Sequence, residues 1–205
     1  MTARHEHWEK VYTTKASTEV SWYQPNASPS LEFIRSAAPD HTTPIVDVGG
    51  GASTLVDGLL AAGYVDLTVL DIAETAMDQA KVRLGDVQTA KVTWIAADLL
   101  ARTPPRRWAV WHDRAVFHFL VDASQQEAYL ATLLAATAPD AMAIFATFAL
   151  DGPDKCSGLP IQRYSSQSLA DRLGASFRLV SSASEHHSTP RGADQCFAWT
   201  VLQRH

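Results

Sequence analysis

Cysteine is nearly missing from this chain of 205 residues: only Cys156 and Cys196 occur. Two thiols build no disulfide framework, so a packed core must hold the fold, and such sparse usage suits a reducing compartment. Positive charge is also in short supply. The formal net charge is -5, which argues against a chain-wide basic surface for nucleic acid, and no nucleic-acid partner is expected. No apolar run approaches the roughly 18 residues that a membrane span needs, and residues 1–7 hold no apolar signal core. The expectation is therefore a cytoplasmic location and no membrane partner. Internal repeats and low-complexity segments are lacking too. What is present is 46% hydrophobic and 19% charged, the balance of a soluble globular enzyme. The length supports one sizeable core and is short for two. A single domain over 1–205 is expected, with 1–40 as an N-terminal helical lid and 41–205 as the core.

That core is organised around Ile45-Val46-Asp47-Val48-Gly49-Gly50-Gly51-Ala52-Ser53. A short apolar run enters a glycine triplet, and Leu55, Val56, Leu59 and Leu60 then share one face of a helix that stops at Gly63. Glycines at such a turn let the backbone bend sharply and let a ligand approach it without a Cβ in the way. A second apolar run, Leu67 to Leu70, ends in Asp71, placed to accept hydrogen bonds from ribose hydroxyls. A dinucleotide fingerprint needs glycine at its sixth position, where this chain has Thr54. It has instead Asp47 two places before the first glycine. That carboxylate would repel a pyrophosphate and attract an ammonium group. A ribose at one end and an amino-acid head at the other describe S-adenosylmethionine.

The stretch Asp47-Val-Gly49-Gly-Gly51-Ala-Ser53, with Asp71 and Asp98, resembles the class I S-adenosylmethionine-dependent methyltransferases, whose first motif reads acidic-x-Gly-x-Gly-x-Gly. Ser53 replaces the last glycine, a mild departure because it can also cap the following helix. The resemblance covers nearly the whole chain. It implies an α/β fold: a doubly wound, mostly parallel seven-stranded sheet with an antiparallel C-terminal hairpin and helices on both faces. It implies S-adenosyl-L-methionine as cofactor and S-adenosyl-L-homocysteine as product. The binding residues carried over are Asp47, Gly49, Gly50, Gly51 and Ser53 at the loop, Asp71 and Ile72 at the second strand tip, and Asp98 and Leu99 against adenine. His112 and Asp113 join them at the fourth strand tip, and Trp22 closes over the cofactor.

Periodicity places the remaining elements. Residues 4–15 read as a helix, Val20 to Pro25 as an aromatic loop, and Ser28-Pro29 as a helix start. Ala73 to Leu84 is helical, Lys91 to Ala97 the third strand, 103–107 a loop and Trp108 to Trp111 the fourth strand. Ser124 and Glu127 form a capping box for a helix that ends before Pro139. Met142 to Phe148 is an apolar fifth strand, buried on both faces. Ser165 to Leu173 is a helix capped by Gly174. Phe177 to Ser184 and Gln195 to Leu202 form the hairpin. His186 and His187 are adjacent, so on a strand they face opposite ways and make a poor chelate pair. No metal is expected.

Ligands of open α/β sheets sit outside the carboxyl ends of the strands. His112, Asp113, Arg114 and His118 gather at such an end. His118 and His112 are the candidate proton acceptors. Arg163 and Tyr164, in the long loop 149–164, could hold a polar group of the acceptor or anchor the loop. Cys156 is read as an ordinary cysteine. The minimal domain size points to a small-molecule acceptor: a thiol, an amine or a carboxylate. A protein lysine is the alternative, and a non-catalytic cofactor-binding protein the remote one. The oligomeric state is unspecified.

Overall fold

The structure, a computed structural model, describes residues 2–101 and 103–205. In chain order the elements are α1 (Ala3–Thr14), α2 (Ser28–Ala37), β1 (Ile45–Val48), α3 (Leu55–Ala61), β2 (Leu67–Asp71), α4 (Glu74–Leu84), α5 (Asp86–Thr89) and β3 (Val92–Ala96). There follow β4 (Trp108–Arg114), α6 (Ala123–Ala136), β5 (Thr137–Phe148), the two-residue strands β6 (Lys155–Cys156) and β7 (Leu159–Pro160), α7 (Ser166–Leu173), β8 (Phe177–Ser188) and β9 (Asp194–Arg204).

Seven strands form one sheet in the order β3-β2-β1-β4-β5-β9-β8. β1 to β5 pair in parallel, and β9 runs antiparallel to both β5 and β8. This is the doubly wound sheet and terminal hairpin expected above. Strand order reverses between β1 and β4, the position where ligands of such sheets bind.

Alternation along the strands sorts side chains to two faces. Ile45, Val69, Val110, Ile144 and Trp199 join one core cluster with Ile34 of α2 and Leu55, Val56 and Leu59 of α3. Val46, Val48, Leu70, Trp111 and Phe145 join a second with Tyr129 and Leu133 of α6 and Leu169 and Leu173 of α7. Each fully buried aliphatic or phenyl side chain contributes roughly 1.5–3 kcal/mol over its exposed state. A third cluster, Val11, Tyr12, Val20, Ala52, Ala73 and Ala76, docks the N-terminal segment onto the glycine loop and α4.

Several boundaries differ from the expectation. β4 runs three residues further, to Arg114, because polar His112 and Arg114 continue the pairing with β5. β5 begins at Thr137, and Pro139-Asp140 sits where the register shifts between Trp108 and Val110, Asp140 taking φ 65. α6 starts at Ala123 with Asp122 at its N-cap, so Ser124 lies inside the first turn and caps nothing. β8 and β9 each extend beyond the expected strand limits.

Candidate functional site

The glycine loop leaves β1 at the reversal point. Gly49 donates its amide to the Leu70 carbonyl at 2.7 Å and has φ +66, a left-handed conformation that glycine adopts without a Cβ penalty. A Cβ there would overlap Cγ2 of Val116. One on Gly51 would fall 2.7 Å from Oδ2 of Asp71. The Ser53 hydroxyl accepts the Leu55 amide at 3.1 Å, at the start of α3.

Asp71 ends β2 beneath this loop, buried, with Oδ1 accepting the Ala73 amide at 2.8 Å. Burial first, and then the negative neighbours Asp47 and Glu9, push its carboxyl up to about 7 against the lowering pull of the Ala73 and Ile72 amides. Just past β3, Asp98 accepts the Leu100 amide at 3.0 Å and meets Arg4 of α1 at 3.4 Å. Asp71, Ile72, Asp98 and Leu99 border one crevice together with Gly49, Arg114 and Cys156. Its empty volume is about 830 Å³ including the open mouth. Ala115 forms part of the wall at φ 68, a conformation that costs a non-glycine residue of order 1–3 kcal/mol and clusters at functional sites.

The N-terminal segment roofs the crevice. Trp8 stands edge-on to Trp22 (5.7 Å between centroids) and Phe119 (5.0 Å), and Trp22 donates its indole N–H to the Tyr12 hydroxyl at 3.2 Å. Glu9 holds α1 down by accepting the Glu74 amide at 2.6 Å and the Thr75 hydroxyl at 2.5 Å. His187 Nε2 donates to the Ser21 carbonyl at 2.8 Å, and the Gln24 amide donates to Glu185 at 2.8 Å.

A smaller recess adjoins, bordered by Asp47, Gly50, Ser53, Trp22, His112 and Arg114. Asp47 and His112 are register partners on β1 and β4, so they point to the same face. His112 Nδ1 lies 2.7 Å from Asp47 Oδ1, while Nε2 is buried with no hydrogen-bond partner. A carboxylate only accepts, so Nδ1 carries the proton and, in the neutral ring, Nε2 carries a free lone pair.

Other sequence candidates lie elsewhere. Asp113, on the opposite face, accepts the Tyr129 hydroxyl at 2.5 Å and the amides of Val116 and Phe117. Burial raises its carboxyl to about 6 against these hydrogen bonds. It fixes the turn after β4 and thereby the Val116 side chain packed over Gly49. His118 is buried and accepts the Phe148 amide at Nδ1 (3.3 Å). Burial, with Arg114 nearby, lowers it to about 3. Neutral His118 therefore carries its proton on Nε2, where it can donate but not accept. Arg163 is exposed and donates to the Gly152 carbonyl at 3.1 Å. Tyr164 is buried against Phe117 and accepts from the Gln126 amide at 3.1 Å. Both anchor the loop outside the crevice. Among the described residues no group of three or more His, Cys, Asp or Glu is arranged to hold a metal.

Sequence reasoning missed Arg4, Trp8, Tyr12 and Glu185. Glu185 carried a signal: it stands two residues from His187, so on an extended strand both face one way, and in the fold both turn toward the roof.

No family model and no curated protein matches the chain. Solved structures do. An S-adenosylmethionine-dependent methyltransferase from Anabaena variabilis superposes with TM-score 0.76 at 13% identity, over 100% of this chain and 96% of that one. N-methyltransferase NodS from Bradyrhizobium japonicum, in complex with S-adenosylhomocysteine, gives 0.70 at 13%, over 96% and 97%. The Burkholderia thailandensis 1,6-didemethyltoxoflavin-N1-methyltransferase, with 1,6-didemethyltoxoflavin and S-adenosylhomocysteine bound, gives 0.67 at 18%, over 98% and 84%. The chain has the fold of the class I S-adenosylmethionine-dependent methyltransferases.

Proposed function

We propose that this chain is an S-adenosylmethionine-dependent methyltransferase acting on a small-molecule thiol or amine. One observation carries the reading. Asp47, Asp71 and Asp98 stand at or near the tips of three neighbouring strands around a glycine loop whose Cβ positions are already taken up by Val116 and Asp71. Such close packing sets the loop backbone directly against the carboxylates of Asp47 and Asp71. The cofactor fits these residues: Asp71 would take the ribose hydroxyls, Asp98 and Leu99 the adenine, and Asp47 with the loop the amino-acid head. When bound, it supplies the methyl group and its own leaving group.

The chain's own residues do the rest. The Trp8–Trp22 roof excludes water, and the loop and β4 tip fix orientation, which is where much of such a rate arises. His112 takes the acceptor's proton at Nε2. Asp47 holds the ring in that tautomer and stabilises the imidazolium that forms, as a carboxylate behind a histidine base does. His118, protonated at Nε2, has no lone pair to offer there. Proximity of the loop, the small crevice and structures such as the toxoflavin N1-methyltransferase support a small acceptor over a macromolecule.

Calorimetry with S-adenosylhomocysteine and NAD tests the cofactor. Binding of the first and not the second is expected; the reverse would end this reading. Mass spectrometry of a thiol, amine and protein-extract panel incubated with S-adenosylmethionine then tests the acceptor. A methylated small molecule is expected; methylation confined to protein would replace the acceptor class.

A further inference from the structure

Arg114 ends β4 at a wall common to the crevice and the recess, and its bonding is incomplete. Nη1 donates to the Trp22 carbonyl at 3.2 Å. Nε and Nη2 are closed off from solvent with no hydrogen-bond partner. Nη2 meets Glu185 Oε1 at 3.5 Å as an ion pair only. That carboxylate is engaged otherwise: Oε1 accepts the Gln24 amide and Oε2 the Trp199 indole, each at 2.8 Å. The guanidinium carbon sits 4.4 Å from the centre of the Phe197 ring, and the side chain is 10% exposed. Unpaired buried donors are costly, and more so on a charged group. A cation kept in this state at the edge of a ligand-sized crevice is prepared for a partner that arrives.

We propose that the methyl acceptor carries a carboxylate, which Arg114 receives through the Nε–Nη2 edge of its guanidinium, closed off until the side chain turns from Glu185 toward the crevice. The inference rests on the methyltransferase reading and adds the acceptor's chemical class: a small molecule with a thiol or amine at one end and a carboxylate at the other. Two parallel N–H donors match two carboxylate oxygens, and lysine offers no such fork. Position agrees. Arg114 reaches toward β8 and β9 through Glu185 and Phe197, whereas Asp71 and Asp98 occupy the β2–β3 end of the same crevice. Charge agrees as well. A sulfonium in this chamber would add a second positive charge beside the guanidinium, and an anionic acceptor would offset one of the two.

The test uses the full chain saturated with S-adenosylhomocysteine and four matched probe pairs: acetate and acetamide, benzoate and benzamide, glycine and glycinamide, 3-mercaptopropionate and its amide. Affinity is read from concentration-dependent thermal shifts. At least one carboxylate is expected to bind tenfold or more tightly than its amide. In Arg114→Gln that preference falls below twofold and in Arg114→Lys it falls partway, while both variants keep a single cooperative thermal unfolding transition. That last measurement also shows that the variants are folded. No carboxylate preference in any pair, with the cofactor product bound normally, overturns this inference and leaves the methyltransferase reading standing. A tenfold loss of S-adenosylhomocysteine affinity in Arg114→Gln, with Arg114→Lys retaining it, also overturns it by assigning the guanidinium to the cofactor's own carboxylate. Failure of the wild type to bind S-adenosylhomocysteine removes both readings.

Discussion

Replacing Asp71 with asparagine should stabilise the ligand-free protein at alkaline pH while weakening its ligand. Asp71 is buried, and its carboxyl titrates near 7 in the fold against about 3.9 in an unfolded chain. Between those values the native state holds a proton that the unfolded state has released. The stability contributed by the protonated carboxyl is therefore fully present below about pH 4 and is lost as pH rises through about 7. Each pH unit in that window costs about 1.4 kcal/mol, so from pH 5 to pH 8 the wild type loses roughly 3 kcal/mol through this group. The side-chain carbonyl of the asparagine would still accept the Ala73 amide, and it does not titrate. Guanidinium chloride melts of both proteins at pH 5, 6, 7 and 8 isolate the effect, because Asp113, with its own raised carboxyl, titrates in both. The difference in unfolding free energy should grow by roughly 3 kcal/mol toward pH 8 in favour of Asp71→Asn. At about 2–4 °C per kcal/mol for a chain of this size, that is about 10 °C in Tm. Saturating S-adenosylhomocysteine should narrow or reverse the gap, since hydrogen bonds to a charged group contribute about 1.5–3 kcal/mol. Parallel stability profiles for the two proteins would refute the argument that burial dominates this carboxyl.

Replacing His112 with alanine should lower kcat about 10²–10⁴-fold, the usual contribution of a positioned base, with S-adenosylhomocysteine affinity nearly unchanged by calorimetry; wild-type turnover would remove the ring from proton transfer. Gly49→Ala should unfold at lower denaturant, since its Cβ would overlap Val116 Cγ2. Adding Val116→Ala should restore part of that loss, the remainder being backbone strain at φ +66 of order 1–3 kcal/mol. Burial holds the Cys156 thiol up at about 11, whereas Cys196 is partly exposed. Iodoacetamide at pH 8 should give one adduct, on Cys196, by peptide mapping, and rapid labelling of Cys156 would contradict its burial.

Local pattern made the scaffold readable. The apolar runs into Gly49 and Asp71 and the alternation near the C-terminus specify strands whose pairing follows from their hydrophobic faces. The loop glycines and the acids at the strand tips were legible because spacing alone places them. Partners across the sheet were not. Nothing in the string pairs His112 with Asp47, 65 residues away; that contact arises when β4 docks beside β1 and the registers align. The same docking turns Asp113 inward to Tyr129, so neighbours in sequence part company. His118 looked equivalent to His112 until the Phe148 amide settled its tautomer. Arg163 and Tyr164 stood out by composition, but the loop they sit on folds back and uses them as its own fasteners. Arg114 was noticed only as one of four polar residues; its unpaired donors depend on Glu185, far along the chain, being engaged by Gln24 and Trp199.

The stitching of residues 21–24 to the body has a kinetic meaning. Ser21 is gripped by His187, Trp22 by Arg114, and Gln24 by Glu185 on one side and the Thr54 hydroxyl on the other. These clasps fix the segment that roofs the crevice, so its opening requires several contacts to part together. Lids of this kind set exchange rates in many enzymes, and cutting one clasp, as in Gln24→Ala, should hasten the release of a bound occupant in a stopped-flow chase.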